Sequence, residues 1–408
     1  MSQTIETVRA GFIPLVDAAP LIVASELGFA KEEDLNLQLI RETSWATIRD
    51  RLAVAHLDVA HILAPLPVAA NLGLTPLGVP MVVPMALGSG ANTITISRKV
   101  YENELAVHTP PQDLSARSVL EAFAAMVTAR REQKHEPIKF GIVHAFSAHN
   151  YQLSYWLAAA NIDLTEDVEL VVVPPSLMPA ALAAGQIDGF CAGEPWGTAA
   201  VQEGSGFILT TNAHIWRNSP EKVISARQSW VAEDQERVAK LIRAIYRAAV
   251  WCDQPDNQEA LALLLARPEY VGVPVDHIRP SLKRHIPAQD GSLHSVEGFL
   301  NFSHNAATFP WASHALWFYS QMIRWGQAEL HERALTAARA TYRPDLYRKA
   351  LASLSVELPR ADSKVEGAMS QAMPVGSRKG DLVLGPDTFF DGATFDPDDL
   401  DGYLRKLP

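Results

Sequence analysis

The chain has 408 residues, 48% apolar and 20% charged, with a formal net charge of −11 at pH 7. That length calls for two lobes or domains, each burying its own core, and the composition has no glycine, proline or charge excess of the disordered kind. The negative balance argues against nucleic acid or an anionic membrane as direct partner, because either would repel the chain at long range.

The opening "MSQTIETVRAGFIPL" has neither the basic start nor the apolar core of an export leader, so a cytoplasmic protein is expected. Within it "TVRAGFIPL" reads as a buried strand ending in a Pro turn. "DAAPLIVASELGFAKEEDL" then reads as a helix and "NLQLIRE" as an alternating strand. "TSWATIRDRLAVAH" continues as a helix with Ser44 as N-cap, "LDVAHIL" as a short buried strand, and "PLPVAANLGL" as a helix with proline in its first turn. The apolar stretch from Leu72 to Gly88 is interrupted by Pro76, Pro80 and Pro84, too short and too punctuated to span a bilayer.

"TITISRKVY" (Thr93 to Tyr101) reads as a strand crossing to a second lobe. A second series follows: strand "IKFGIVHAF", helix "SAHNYQLSYWLAAANI", strand "VELVVV", helix "SLMPAALAAG", strand "IDGFCA" and the proline-led "EPWGTAAVQEG". "GFILTTN" (Gly206 to Asn212) crosses back. "RLAVAHLDVAHI" in the first series is echoed by "ALAAGQIDGFCA" in the second, each running from an alanine-rich helix end through a polar break into Asp and a strand. One βαβ unit used once in each lobe explains the echo, against the blander alternative of chance similarity between alanine-rich helix ends. The expected class is therefore α/β, a two-lobed clamshell with a helical C-terminal extension. Lobe I takes 1–95 and is completed by the mainly helical 213–358, lobe II takes 96–212, and 359–408 is an extended tail packed on a lobe. In such sheets ligands sit at the carboxyl ends of strands, near the following helix N-termini.

Catalytic templates fit poorly. There is no nucleophile elbow, phosphate loop, HExxH or paired CxxC, and "GSGAN" lacks the third glycine of a dinucleotide fingerprint. His144, His149, Ser147 and Glu194 have no spacing that selects a hydrolase geometry, so an enzyme is not expected, nor a metal or cofactor. Cys191 and Cys252 cannot build a disulfide framework and are read as reduced thiols. Anion binding fits better. Trp45 sits in the first turn of its helix and either walls a ligand or belongs to the core. His149, near the start of the matching helix in lobe II, is a donor that an anion turns cationic, or a capping or core histidine. Gly193 permits close backbone approach. Lys222, just after the second crossing, is either a solvated charge or the fixed cation of a cleft.

Taken together, "GFIPLVDAAPLIVASELGF", "ETSWATIRDRL", "CAGEPW", "SPEKVISARQSWV" and "FPWASHALWFYSQMIRWGQ" make the chain resemble the nitrate- and bicarbonate-binding proteins of ABC importers, of the type II periplasmic-binding-protein fold. The resemblance covers most of the chain. It implies a nitrate site with Trp45, His149, Gly193 and Lys222 at binding positions, Pro175 as a further lining residue, and Asn92 where the family often has glutamine. A planar anion needs several donors, one positive charge and few carboxylates, which makes Glu194 an awkward neighbour and keeps bicarbonate in view. Without an export signal the chain resembles the cytoplasmic NasS-type nitrate and nitrite sensors. That implies an ANTAR-type RNA-binding antiterminator as partner, held without ligand and released with it. The alternative is the substrate-binding component of a nitrate or bicarbonate importer.

Overall fold

The computed structural model describes residues 5–407. Residues 1–4, which open the stretch read for an export leader, lie outside the described residues. Eleven strands carry the architecture: β1 (Glu6–Phe12), β2 (Leu35–Arg41), β3 (Val59–Leu63), β4 (Met81–Ala86), β5 (Ser89–Gly90), β6 (Asn92–Ser97), β7 (Ile138–Ile142), β8 (Val168–Val172), β9 (Gly189–Gly193), β10 (Gly206–Thr211) and β11 (Lys222–Arg227). One five-stranded sheet has the order β2-β1-β3-β11-β4 and a second the order β10-β6-β9-β7-β8. The α/β, two-lobed clamshell read from the sequence is the observed architecture.

Each sheet has a parallel heart, β2-β1-β3 in one and β8-β7-β9 in the other. A strand arriving from the opposite lobe is added antiparallel: β11 onto β3, and β6 onto β9. Two short connections, 87–91 and 212–221, thus join the lobes. The register places Lys222 opposite Leu63 and Asn92 opposite Gly193, so both incoming strands start at the carboxyl ends of the parallel strands. "TITISRKVY" is strand only to Ser97, whose hydroxyl accepts from the Val100 amide at 3.2 Å and starts a helical turn.

Of the elements that escape the sequence reading, two belong to the lobes' sheets and their covering helices. The proline-punctuated stretch contains β4, with Pro84 inside it; β4 is an edge strand, where a missing N–H is tolerated. The helix Ala116–Glu132 buries Val119, Phe123, Met126 and Val127, a helical spacing that was available in the sequence. Among the described residues no helix is long and apolar enough to cross a membrane.

The core falls into two clusters. One joins the outer face of the first sheet to the helices Ala19–Glu26 and Gln235–Cys252. The other runs from the facing side of the first sheet through the second sheet to the helix Ala312–Arg324 and the chain end. The Ala312–Arg324 helix packs on both Pro65–Asn71 and Ala148–Ala158, one from each lobe, and its apolar run is buried. Over 359–407 the chain has little regular structure beyond one short strand pair, Met373–Pro374 with Val383–Leu384, and a closing helix Leu400–Leu404.

Candidate binding site between the lobes

Two helices of equivalent position open toward the cleft. Ser44 caps the helix Trp45–Ala53, its Oγ accepting from the Thr47 amide at 3.1 Å, and Ser147 caps Ala148–Ala158 by accepting from the Asn150 amide at 3.0 Å. Trp45 and His149 thereby fall in first turns. Both are buried, as are Asn92 and Lys222, so the lobes are closed over these side chains.

The polar atoms gathered there define the site. Lys222 Nζ donates to Asp17 Oδ2 at 2.8 Å and to Glu221 Oε2. Asp17 Oδ1 lies 3.0 Å from His61 Nε2, while His61 Nδ1 faces the Ile13 amide at 3.4 Å. An Nε2–H tautomer serves both contacts, donating to Asp17 and accepting from Ile13. Asn92 Nδ2 donates to Glu221 Oε1, linking the start of β6 to the start of β11. Lys222 Nζ is 5.8 Å from the centre of the Trp45 ring, and that ring lies 5.6 Å from His61. A Cβ on Gly193 would meet Leu15 Cδ2 at 3.3 Å and Asn92 Oδ1 at 3.4 Å, so glycine is what lets the two lobes close here.

Four buried polar atoms of this cluster have no hydrogen-bond partner among the described residues: both ring nitrogens of His149, Trp45 Nε1 and Asn92 Oδ1. Leaving one such group unmade costs about 1–3 kcal/mol, so several together, drawn from both lobes, mark a place built for a small polar ligand.

Electrostatics correct one sequence expectation. Lys222 is no free cation in a pocket poor in carboxylates, because Asp17 and Glu221 both hold it. A lysine buried this completely needs that counter-charge. Burial alone would raise the Asp17 carboxyl, but Lys222 and His61 hold it below its ordinary range. Burial pushes the Glu221 carboxyl up despite Lys222. For Lys222 burial works downward, and the two carboxylates more than offset it, raising the ammonium above its usual value. Burial, with Lys222 adding to it, drives His149 well below the ordinary histidine value, so its ring is neutral before any ligand arrives.

The structure therefore brings together Trp45, Asn92, His149, Gly193 and Lys222. Pro175 begins the turn after β8, two strands from Gly193, and takes part in none of the contacts above among the described residues. Glu194 turns away: its Oε1 accepts from Thr93 Oγ1 at 3.2 Å and from the Thr198 amide at 3.3 Å, at the start of the helix Trp196–Gln202. Sequence reasoning missed Asp17, His61 and Glu221. The signal for Glu221 was its place beside the lysine that heads β11. Cys191 and Cys252 are free and buried, and among the described residues no group of three or more His, Cys, Asp or Glu is arranged to hold a metal.

Residues 3–266 match the NMT1-like family. The nitrate/nitrite binding protein NrtA of Nostoc sp. is 31% identical over 416 residues, spanning 99% of this chain and 86% of that protein. The bicarbonate-binding protein CmpA of Synechococcus elongatus is 28% identical, spanning 99% of this chain and 87% of that one. The crystal structure of the periplasmic nitrate-binding protein NrtA from Synechocystis covers 99% of both chains with a TM-score of 0.84 at 28% identity.

Proposed function

The chain belongs to the NMT1-like family, and on that premise we propose that it is a cytoplasmic sensor of nitrate and nitrite, binding the anion between its lobes and holding an ANTAR-type RNA-binding antiterminator only in its ligand-free form. The observation that carries the ligand half is the set of unpartnered buried atoms around Lys222. His149 and Trp45 supply N–H donors from opposite lobes, Lys222 supplies the charge, and Gly193 lets the lobes approach closely enough for one small anion to reach them all. Relatives named for nitrate and for bicarbonate, aligned over nearly the whole chain, support the ligand class.

The sensing half follows from where the anion sits. A ligand contacting both lobes stabilises one lobe arrangement, and a partner that prefers another is released by the same free energy that its presence takes from ligand binding. Calorimetric titration with nitrate, with nitrite and bicarbonate as competitors, tests the site. Saturable nitrate binding that His149→Ala weakens about ten-fold or more is expected, and no heat with any of the three refutes it. Mixing the chain with its antiterminator tests the regulation: a complex is expected without nitrate and separation with it. A complex indifferent to nitrate refutes the sensor and leaves the importer component, which the relatives' names favour, as the reading of the same site.

A further inference from the structure

The charge count inside the cluster does not balance for an anion. Lys222 brings one positive charge, Asp17 and Glu221 bring two carboxylates, and both His61 and His149 have their rings pushed toward the neutral form by burial. Adding a monoanion to that set would leave two uncompensated negative charges in a space closed by both lobes, a cost that buried sites avoid by neutralising a group.

We infer that the site takes up one proton with each anion and that Glu221 holds it, giving up its ion pair with Lys222 so that the ammonium turns to the ligand. This rests on reading the cluster as an anion site. The step balances: a proton from solvent forms an O–H on Glu221, the Lys222–Glu221 contact breaks, and a Lys222–anion contact replaces it.

Geometry selects Glu221 over Asp17. Asp17 accepts from two donors on separate oxygens, Lys222 Nζ on Oδ2 and His61 Nε2 on Oδ1, so a proton on either oxygen displaces a donor that has no acceptor to turn over in exchange. Glu221 accepts from Lys222 and from the neutral amide of Asn92, whose Oδ1 has no partner among the described residues. Turning the Asn92 amide over puts that orphan acceptor against a protonated Glu221, satisfying both groups. Glu221 also lines a cavity on the side of the inter-lobe connections, with Ser89 and Asn218, which offers the proton a route that bypasses the closed cleft. The titratable groups facing Glu221 are Lys222, Asp17, Cys191 and Tyr342, with His314, Lys364 and Asp387 across the cavity. Lys364 is itself paired with Glu366 and Asp387, so it does not replace the proton. Burial pushes the Glu221 carboxyl up and leaves Asp17 depressed by its two donors, in line with this assignment.

Titration calorimetry of the full chain with sodium nitrate, in buffers of different ionisation enthalpy, reads the proton count. Wild type is expected to take up close to one proton per anion, with affinity falling toward about ten-fold per pH unit above neutrality. Glu221→Gln should bind nitrate with almost no proton uptake and with affinity constant to within about three-fold over the same range. Infrared difference spectra of the wild type on adding nitrate should gain a protonated-carboxyl band, a readout that does not depend on the variant folding. Uptake near zero in wild type overturns the proposal, as does unchanged uptake in Glu221→Gln, which would assign the proton to His149. Absence of nitrate binding at every pH instead refutes the anion reading beneath it.

Discussion

Glu194 shows how one residue's environment can diverge from its neighbour's. Gly193 faces the polar cluster around Lys222, while the Glu194 carboxylate sits wholly buried at a helix start on three contacts of 3.2–3.3 Å. Burial pushes its carboxyl from 4.5 up to about 7, the Thr198 and Thr93 contacts offsetting only part. The sign follows from proton binding. Between those values the folded chain holds a proton that the unfolded chain has released, so stability is greatest below about 4.5 and falls as pH rises through 7. At 1.36 kcal/mol per unit that amounts to about 3 kcal/mol. Glu194→Gln should remove the decline. Urea unfolding at pH 5 and pH 8 checks it: the wild type should lose about 3 kcal/mol more than the variant, and equal losses would show that Glu194 is ionised in the folded chain at both pH values. The same residue scale limits what sequence can reveal. Trp45 and His149 were legible as first-turn residues, the one behind Ser44 as N-cap and the other near the start of the matching helix. Asp17, the distant partner of Lys222, was not, since it lies 205 residues away and only the fold brings it within 2.8 Å.

At the scale of elements, the echo between "RLAVAHLDVAHI" and "ALAAGQIDGFCA" proves to be a repeated tertiary device. The Arg9 amide donates to Asp58 Oδ2 at 2.8 Å, and the Lys139 amide to Asp188 Oδ2 at 2.9 Å, each spanning 49 residues. Each aspartate amide returns a bond to the same strand residue's carbonyl, at 2.9 and 2.8 Å. Both pairs clip the third strand of the unit to its first, beside the registers Ala10↔Val59 and Phe140↔Gly189. The next residue but one repeats the logic: a Cβ on Gly11 would meet Leu57 Cδ1 at 2.5 Å, and one on Gly141 would meet Ile187 Cδ1 at 3.0 Å. The Asp in the echo was thus legible as part of a junction, but its clasp was not, because a helix, a strand and a further helix separate it from the strand it grips. The copies differ in one respect. Asp58 also takes the Arg9 guanidinium at 2.7 and 3.0 Å, and that pairing, working against burial, holds its carboxyl below the ordinary range. Asp58→Ala should therefore cost more than Asp188→Ala, about 2–3 against about 1 kcal/mol in urea unfolding at pH 7. Equal costs would mean the guanidinium pair adds nothing. The Asp58 share is present above an unfolded aspartate's pKa and is lost as pH falls through the depressed folded value.

For the molecule as a whole, the question is what limits the opening of a cleft closed over Trp45, His149 and Lys222. The C-terminal extension lies across the second connection between the lobes. The Arg217 amide donates to the Thr388 carbonyl at 3.0 Å, the Phe390 amide to Ile215 at 2.9 Å, and Trp216 Nε1 to Asp387 Oδ1 at 2.7 Å. Phe389 stacks on Trp216 at 4.5 Å and packs 5.5 Å from Tyr155 of lobe II, whose hydroxyl donates to Asp391 at 2.7 Å. Toward lobe I the same extension is held by the Ala312 amide, which donates to the Asp362 carbonyl at 2.8 Å, and by Arg348 Nε, which donates to the Pro359 carbonyl at 2.7 Å. A connection gripped this way bends only if the grip loosens, so the extension sets part of the free-energy difference between closed and open lobes. Phe389→Ala removes the ring that fills the space between Trp216 and Tyr155, at a cost of about 3–5 kcal/mol. The loss should be local before it is global. Hydrogen exchange is expected to accelerate first over 212–221 and 386–391, while β1 and β3 keep the protection of the wild type. An anion bound at the proposed site would contact both lobes, so saturating nitrate should restore part of that protection in the variant. Uniform acceleration across both sheets would show that Phe389 supports the fold generally and that the extension does not govern the lobes' closure.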